Sequence, residues 1–294
     1  MRITKDRINK KCIKSSEIKS TEKRDKIIIS RCLPFLKWPG GKRLLIKYIL
    51  PVLPVVYRSY YEPFVGGGAL FFYLKPKNAI VSDSNVELIN CYRQVRDYPE
   101  KVICYLNQLR NSEEEYYRVR DEVPSSQIAK AARLIYLTTL SFNGIYRLNK
   151  NGVFNVPYGK KTHINPCNES RILVASETLR SAQLRTMDFE ESVKDAKEGD
   201  LIYFDPPYTV AHGNNGFIKY NAKIFSWEDQ TRLAKIAKDL ADRGCKVIIS
   251  NAFHSSVQEL YKDFNYRIIK RSSVIAATGI NRRLVSECIY YNEV

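Results

Sequence analysis

Short apolar runs bounded by Gly, Pro, Asn or Asp recur along this chain and predict the strands of a sheet. They lie at Arg58 to Glu62, Asn78 to Ser82, near Gln183 to Met187, at Leu201 to Phe204 and at Lys246 to Ser250. Between them the apolar spacing lengthens to a helical period, beginning at Ala69 to Leu74, over Val86 to Arg96, after Arg171 and over Trp227 to Arg243. Ser226 with Asp229 predicts a capping box at the start of the last helix. Strand, turn, helix, strand is the opening of a parallel α/β sheet. Tyr266 to Lys270 and Leu284 to Tyr291 predict antiparallel closing strands. The middle departs from this rhythm. Glu100 to Arg110, Glu113 to Glu122 and Gln127 to Leu140 predict helices, and a polar, aromatic stretch to about Asn168 is too long for an ordinary connection. The expected organisation is a basic arm over 1–30, an α/β domain over 31–97 and 172–294, and an inserted, mainly helical lobe over 98–171. No internal repeat interrupts it.

Charge adds a partner class. The 294 residues carry a net charge of +17, and such an excess favours polyanions, because Lys and Arg release counterions when they neutralise phosphates. A solubilising surface is the bland alternative and an anionic membrane a weaker one. No apolar stretch approaches a spanning helix and no signal-peptide pattern is read at the start, so no membrane role is expected. Met1 to Lys26 holds ten Lys and Arg against four Asp and Glu, which reads equally as a phosphate-touching arm or an extension without a role. The seven cysteines are scattered without a CxxC, and His163, His212 and His254 form no ligand spacing with them. Reduced thiols in a cytoplasmic protein, and no metal, are expected.

The most informative tetrapeptide is Asp205-Pro206-Pro207-Tyr208. Two prolines cannot extend a ladder or enter a helix, so the chain turns out at the carboxyl end of the preceding strand, where open α/β sheets bind ligands. A carboxylate and a Pro carbonyl can accept both hydrogens of a planar amino group while Tyr208 stacks on its ring. Alone, the tetrapeptide reads equally as a turn with an incidental Asp. Glu62-Pro63-Phe64-Val65-Gly66-Gly67-Gly68 also follows a strand and opens a helix. Its glycines permit positive φ and close backbone approach, but the spacing is not GxGxxG, and Glu62 suits only a phosphate-free cofactor. Asp83, at the end of the next strand, is placed to hold ribose hydroxyls.

With these motifs the sequence resembles the Dam-type DNA adenine-N6 methyltransferases, from about Phe35 to the C-terminus. Phe35-Leu36-Lys37-Trp38-Pro39-Gly40-Gly41-Lys42 matches the family's opening motif, and the motif order is that of its α class. The resemblance implies a Rossmann-like methyltransferase sheet and S-adenosylmethionine as cofactor. It implies cofactor contacts at Trp38, Lys42, Glu62, Phe64, Gly66, Gly68, Asp83, Asp188, Phe189 and Asp205, and catalysis at Asp205, Pro206, Pro207 and Tyr208. The lobe is then a target-recognition part acting on double-stranded DNA. Asn151-Gly152, between Leu148 and Val153, predicts a two-residue hairpin turn suited to the major groove. Arg147 can grip a guanine and Phe142 can wedge into the opened duplex, although core packing is the alternative for Phe142 and Ile145. Asn143, Ile145, Asn149 and Pro157 complete the expected DNA-binding set. The Asn-Gly-x-x-Arg and Phe-Asn-Val-Pro-Tyr-Gly phrases resemble GATC-recognising members, with Phe142 in place of their tyrosine. His212, Asn214 and Lys219 can close over a flipped base, or form a bland loop. Arg271, Ser272, Arg282 and Arg283 can touch phosphate or simply be solvated. A monomer is expected, with a cognate restriction endonuclease as a possible partner. The rival readings are an RNA or protein N-methyltransferase and a catalytically silent DNA-binding regulator.

Overall fold

The computed structural model describes residues 33–209, 225–272 and 284–293. Its sheet has seven strands: β1 (Tyr60–Glu62), β2 (Ala79–Asp83), β3 (Ala182–Thr186), β4 (Leu201–Phe204), β5 (Lys246–Ala252), β6 (Asn265–Ser272) and β7 (Leu284–Tyr291). They are ordered β3-β2-β1-β4-β5-β7-β6, with β1 to β5 parallel and β7 antiparallel to both neighbours. The order reverses between β1 and β4, and an open sheet leaves a crevice beyond the strand ends at such a point. Tyr61 is level with Ile202, so the chain following Glu62 and the chain following Phe204 emerge side by side there. This is the Rossmann-like α/β fold expected of the sequence.

Period two explains why the sheet is buried on both faces. Tyr60, Val81, Leu201, Tyr203 and Ile248 belong to one core, while Tyr61, Ile80, Ile202, Phe204, Val247 and Ile249 belong to the other. Ten α-helices flank the sheet among the described residues: α1 (Ile46–Ile49), α2 (Ala69–Leu74), α3 (Val86–Asp97), α4 (Pro99–Gln108), α5 (Glu113–Asp121), α6 (Gln127–Leu140), α7 (Glu169–Leu179), α8 (Phe189–Val193), α9 (Trp227–Asp242) and α10 (Ser255–Leu260). Residues of α4, α5 and α6 share the first core with those of α2, α3 and the sheet. Arg133 of α6 donates to the carbonyls of Val119 (2.8 Å) and Arg120 and so caps the end of α5. The capping box at Ser226 and Asp229 is present.

The structure corrects local details. Strand β2 runs through Asp83 itself, and β5 extends to Ala252. The short helices α1, α8 and α10 carry too few turns to show a periodicity. The Asn151-Gly152 turn is not a two-residue hairpin. Asn149 N donates to Val153 O (2.8 Å) and Gly152 N to Asn149 O (3.1 Å), giving a three-residue loop with Gly152 at φ 75°. A type I′ turn needs positive φ at both central residues. That requirement is met at the other Asn-Gly pair, where Asn143 (φ 53°) and Gly144 (φ 66°) turn the chain and Ile145 N donates to Phe142 O.

Candidate active site

Asp205 leaves β4 into the crevice, and Lys42 meets it. The Lys42 ammonium lies 2.9 Å from Asp205 Oδ1, with both side chains largely buried. It also donates to Gly40 O (3.1 Å) and lies 4.5 Å from the centre of the Tyr208 ring. The first motif is thus folded onto the Asp205–Tyr208 turn, although well over a hundred residues separate them in sequence. Pro206 is buried and Pro207 half-buried. The Tyr208 hydroxyl donates to Glu287 Oε2 at 3.1 Å, and beneath the turn the Tyr203 and Ser250 hydroxyls share a 2.8 Å bond.

The glycine loop is tied to two carboxylates. Glu62 Oε2 accepts from the Tyr60 hydroxyl (2.7 Å) and from Phe71 N (3.1 Å). Burial pushes the Glu62 carboxyl up to about 8, with the Tyr60 bond opposing and the Asp205 charge assisting. Asp83 accepts from Gly66 N (3.2 Å) and Asn85 N (2.9 Å); burial raises it to about 6 against those bonds. Tyr92 closes the loop from below by donating to Gly66 O (3.0 Å). Above it, a Cβ on Gly66 would stand 2.9 Å from Trp38 Cδ1. Trp38 in turn stacks on Tyr146, with ring centres 4.5 Å apart. Tyr146 immediately precedes Arg147, so one aromatic pair joins the loop to the hairpin region.

These shifts predict a pH dependence. Both folded-state values lie above the ordinary carboxylate range, so between about 4.5 and about 8 the folded Glu62 retains a proton that the unfolded chain has released. Its stabilisation is complete below the unfolded value and is lost as pH rises through about 8. Chemical-denaturation stability of the wild type should fall by a few kcal/mol over that window. Glu62→Gln should flatten the slope; an unchanged slope would remove Glu62 as its source.

Phe64 begins an aromatic wall. Its ring stacks on Phe189 (5.2 Å) and meets Phe225 edge-on (5.5 Å). Asp188 caps α8 by accepting from Glu190 N (3.0 Å). Arg232 of α9 forks onto both Asp188 oxygens (3.0 and 2.9 Å) while lying 4.3 Å from the Phe189 ring centre. Three of the carboxylate's roughly four acceptor positions are therefore used and one remains.

In the expected DNA-reading segment the side chains divide by parity. Phe154, Val156 and Tyr158 are buried, while Asn155 is half-buried and Pro157 exposed. Tyr158 donates to Asn111 Oδ1 (2.7 Å), and Val156 O accepts from Tyr116 (3.0 Å). Half of the Phe-Asn-Val-Pro-Tyr-Gly phrase thus anchors the segment. Phe142 stands 45% exposed, its N–H donating to Pro157 O. Arg147 and Asn149 are also exposed. Arg147 is aimed by Asn155, whose Oδ1 accepts from its Nε (2.9 Å). Ile145 packs partly against the core, and Asn143 is used by the turn. The Asn149 amide oxygen is committed to the loop, accepting from Asn151 N and Val153 N.

Sequence reading missed a cluster of cations beside this turn. Lys161 Nζ donates to Ser141 O (2.7 Å) and Thr139 O (3.1 Å), and the Lys37 stem runs under Gly144. Burial pushes Lys161 down to about 8, with Lys37 repelling it. Lys37 is lowered by burial and by Arg171, and Arg171 by burial and by Arg43. Arg171 Nε is buried without a hydrogen-bond partner. Tyr92, Tyr146, Arg232 and Glu287 were likewise missed, because their partners are brought to them only by folding. Among the described residues no helix is long and apolar enough to cross a membrane, and no group of His, Cys, Asp or Glu is placed to hold a metal. His212, Asn214, Lys219, Arg282, Arg283 and the arm over 1–30 lie outside the described residues, as do the side chains of Arg271 and Ser272.

Comparison with known proteins agrees with this geometry. Residues 38–275 match the model of the D12 class N6 adenine-specific DNA methyltransferases. A type II methyltransferase of Lactococcus lactis subsp. cremoris, M1.LlaDCHI, is 41% identical over 88% of this chain and 95% of its own. M.MjaIII, a type II methyltransferase of Methanocaldococcus jannaschii, is 34% identical over 85% of this chain and 95% of its own. The DNA adenine methylase of Escherichia coli K12 is 31% identical over 87% and 93%. With the carboxylate–proline–tyrosine turn at the switch point of a sheet ordered β3-β2-β1-β4-β5-β7-β6, these matches establish that the chain belongs to the D12 class of N6 adenine-specific DNA methyltransferases.

Proposed function

We propose that the enzyme methylates N6 of an adenine flipped out of duplex DNA, with S-adenosylmethionine as donor and GATC as the target. The observation that carries the reading is the convergence of Asp205, Lys42 and Tyr208 at the crevice between β1 and β4, beside a glycine loop walled by carboxylates.

The residues fit this cofactor. Asp83 keeps acceptor capacity for a ribose diol beyond its two backbone bonds, and Phe64, Phe189 and Asp188 offer an aromatic wall with one acceptor position to an adenine ring. The loop lacks the GxGxxG spacing, which separates this cradle from that of a dinucleotide. Trp38, Glu62, Gly66 and Gly68 complete the cradle. When bound, S-adenosylmethionine supplies an electrophilic methyl group on a sulfonium sulfur.

The chain's own residues do the rest. The N6 lone pair of adenine is delocalised into the ring and weakly nucleophilic. Asp205 and the Pro206 carbonyl accept the two N6 hydrogens, which raises electron density on the nitrogen and turns its lone pair out of the ring. Fixed acceptors need no reorganisation during transfer, and positioning supplies most of the rate. The surplus proton leaves N6 after transfer, so Asp205 need not act as a formal base. Lys42 offsets the Asp205 charge and occupies one of its lone pairs, so the incoming amino group shares Asp205 with it or displaces it. N6 cannot reach this turn from within a duplex, which requires flipping, with Tyr208 as the stacking surface. Exposed Phe142 and Arg147 lie in the same segment as Tyr146, whose ring stacks on Trp38 beside the glycine loop. The clustered cations Lys37, Arg43, Lys161 and Arg171 suit the DNA backbone.

The test incubates the protein with tritiated S-adenosylmethionine and either RNA or duplexes with and without GATC. Label as N6-methyladenine in GATC duplexes is expected. Transfer to RNA alone, or DNA binding without transfer, overturns the reading; equal transfer to duplexes lacking GATC overturns the target only.

A further inference from the structure

We infer that Glu287 is a positioning residue for methyl transfer, holding the Tyr208 ring at its hydroxyl so that the ring is already set to receive the flipped base. This rests on the reading of Tyr208 as the stacking surface.

Strand β7 enters the sheet antiparallel, so its first residues lie at the edge where the parallel strands end. Glu287 pairs with Ala252, the last residue of β5, on one side and with Ile269 of β6 on the other. It is 1% exposed, in a strand whose following residues Cys288, Ile289 and Tyr290 are all buried. A carboxylate in such a strand is costly unless hydrogen-bonded. Its bond from the Tyr208 hydroxyl, 3.1 Å long, spans from the closing hairpin to the catalytic turn.

That bond fixes what the catalytic turn leaves loose. Beyond Pro207 the backbone is no longer in a strand, and a tyrosine ring swings about two torsions. The hydroxyl lies on the Cβ–Cγ axis, so holding it restrains the first torsion and the sideways swing of the ring, and leaves rotation about that axis to a contact on the ring's face. Lys42 over the face adds a second restraint. Burial, and the Glu287 charge next, raise the Tyr208 phenol well above its ordinary value, so it remains a donor across the working range. A platform ordered before the base arrives lowers the ordering entropy lost on reaching the reactive arrangement.

The experiment is a kinetic double-mutant cycle on a duplex that the wild type methylates. Absence of wild-type transfer to DNA adenine would count against the proposed function and not against this role. Glu287→Ala and Tyr208→Phe should each lower kcat about tenfold with KM for DNA and cofactor changed less than about twofold, and the double variant should be no slower than either single one. Glu287→Gln, whose amide oxygen still accepts from the phenol, should recover kcat to within about threefold of wild type. If melting shows Glu287→Ala to be unfolded, Glu287→Met, of similar volume without an acceptor, takes its place. Multiplicative losses in the double variant overturn the inference. So does a Gln variant as slow as the variant without an acceptor, or a loss confined to KM.

Discussion

Asp205→Ala is expected to lower methyl transfer about a thousandfold or more in single-turnover assays, while the dissociation constant for duplex DNA changes less than about threefold. The substitution removes the acceptor that would meet the reacting amino group. The DNA contacts proposed for the exposed hairpin and the basic cluster are untouched, so binding should survive. Removing the carboxylate has a second consequence, because Lys42 is 7% exposed and its 2.9 Å partner would be gone. A buried cation left unpaired costs up to several kcal/mol. Thermal melting must therefore accompany the kinetics, so that lost activity is assigned only to folded protein. Asp205→Asn separates the two effects: it keeps one acceptor oxygen but turns an NH2 toward either Lys42 or the amino group, placing donor against donor. It should be nearly as slow as Asp205→Ala. Substantial transfer by either folded variant would remove Asp205 from the chemistry.

The sheet and its catalytic edge were legible because local and global signals agree there. Leu201–Phe204 is apolar on both parities, is stopped by two prolines, and forms β4 with the bounds read from the sequence. Gln127–Leu140 was equally plain, being helical in period and buried almost all round. Asp83 was readable as a strand-end acid for the same reason. The hairpin was misjudged because an Asn-Gly pair signals a type I′ turn without saying which residues close it. Asn149 decides the matter by accepting two backbone N–H groups into its own side chain, moving Asn151 out of the positive-φ position. The Phe154 to Tyr158 phrase resembled a recognition element, yet its inward residues hold the segment to α5 and to Asn111. Glu287 had one faint sequence signal, an acid within an apolar strand. Nothing in sequence tied it to Tyr208, since that bond joins strands ordered only by the final topology.

Gly68→Ala should be the most damaging single-methyl substitution at the cofactor loop. Gly68 caps the start of α2 at φ 66° and ψ 32°, a left-handed conformation that disfavours a side chain by about 1 kcal/mol. Space is the larger difficulty. A Cβ there would stand 2.8 Å from the Tyr92 hydroxyl and 3.1 Å from the Phe72 ring. Phe72 and Tyr92 are both essentially inaccessible to solvent, stacked on each other and packed edge-on against Phe35, so neither can withdraw without disturbing that cluster. Overpacking of this kind costs about 1–3 kcal/mol beyond the backbone strain. If Tyr92 yields, its hydroxyl leaves Gly66 O, the 3.0 Å bond that holds the loop from below. Gly66 N would then drift from Asp83 Oδ2, and the acid proposed to hold the ribose would lose its alignment. We expect a loss of about 2–4 kcal/mol in unfolding free energy, and cofactor affinity weakened about thirtyfold or more by equilibrium dialysis. Adding Tyr92→Phe removes the closest obstructing atom and should restore part of the stability. It should not restore cofactor affinity, because the bond to Gly66 O is lost with that hydroxyl. Recovery of both in the double variant would mean that steric crowding, not the hydroxyl's hold on the loop, sets the cofactor cradle.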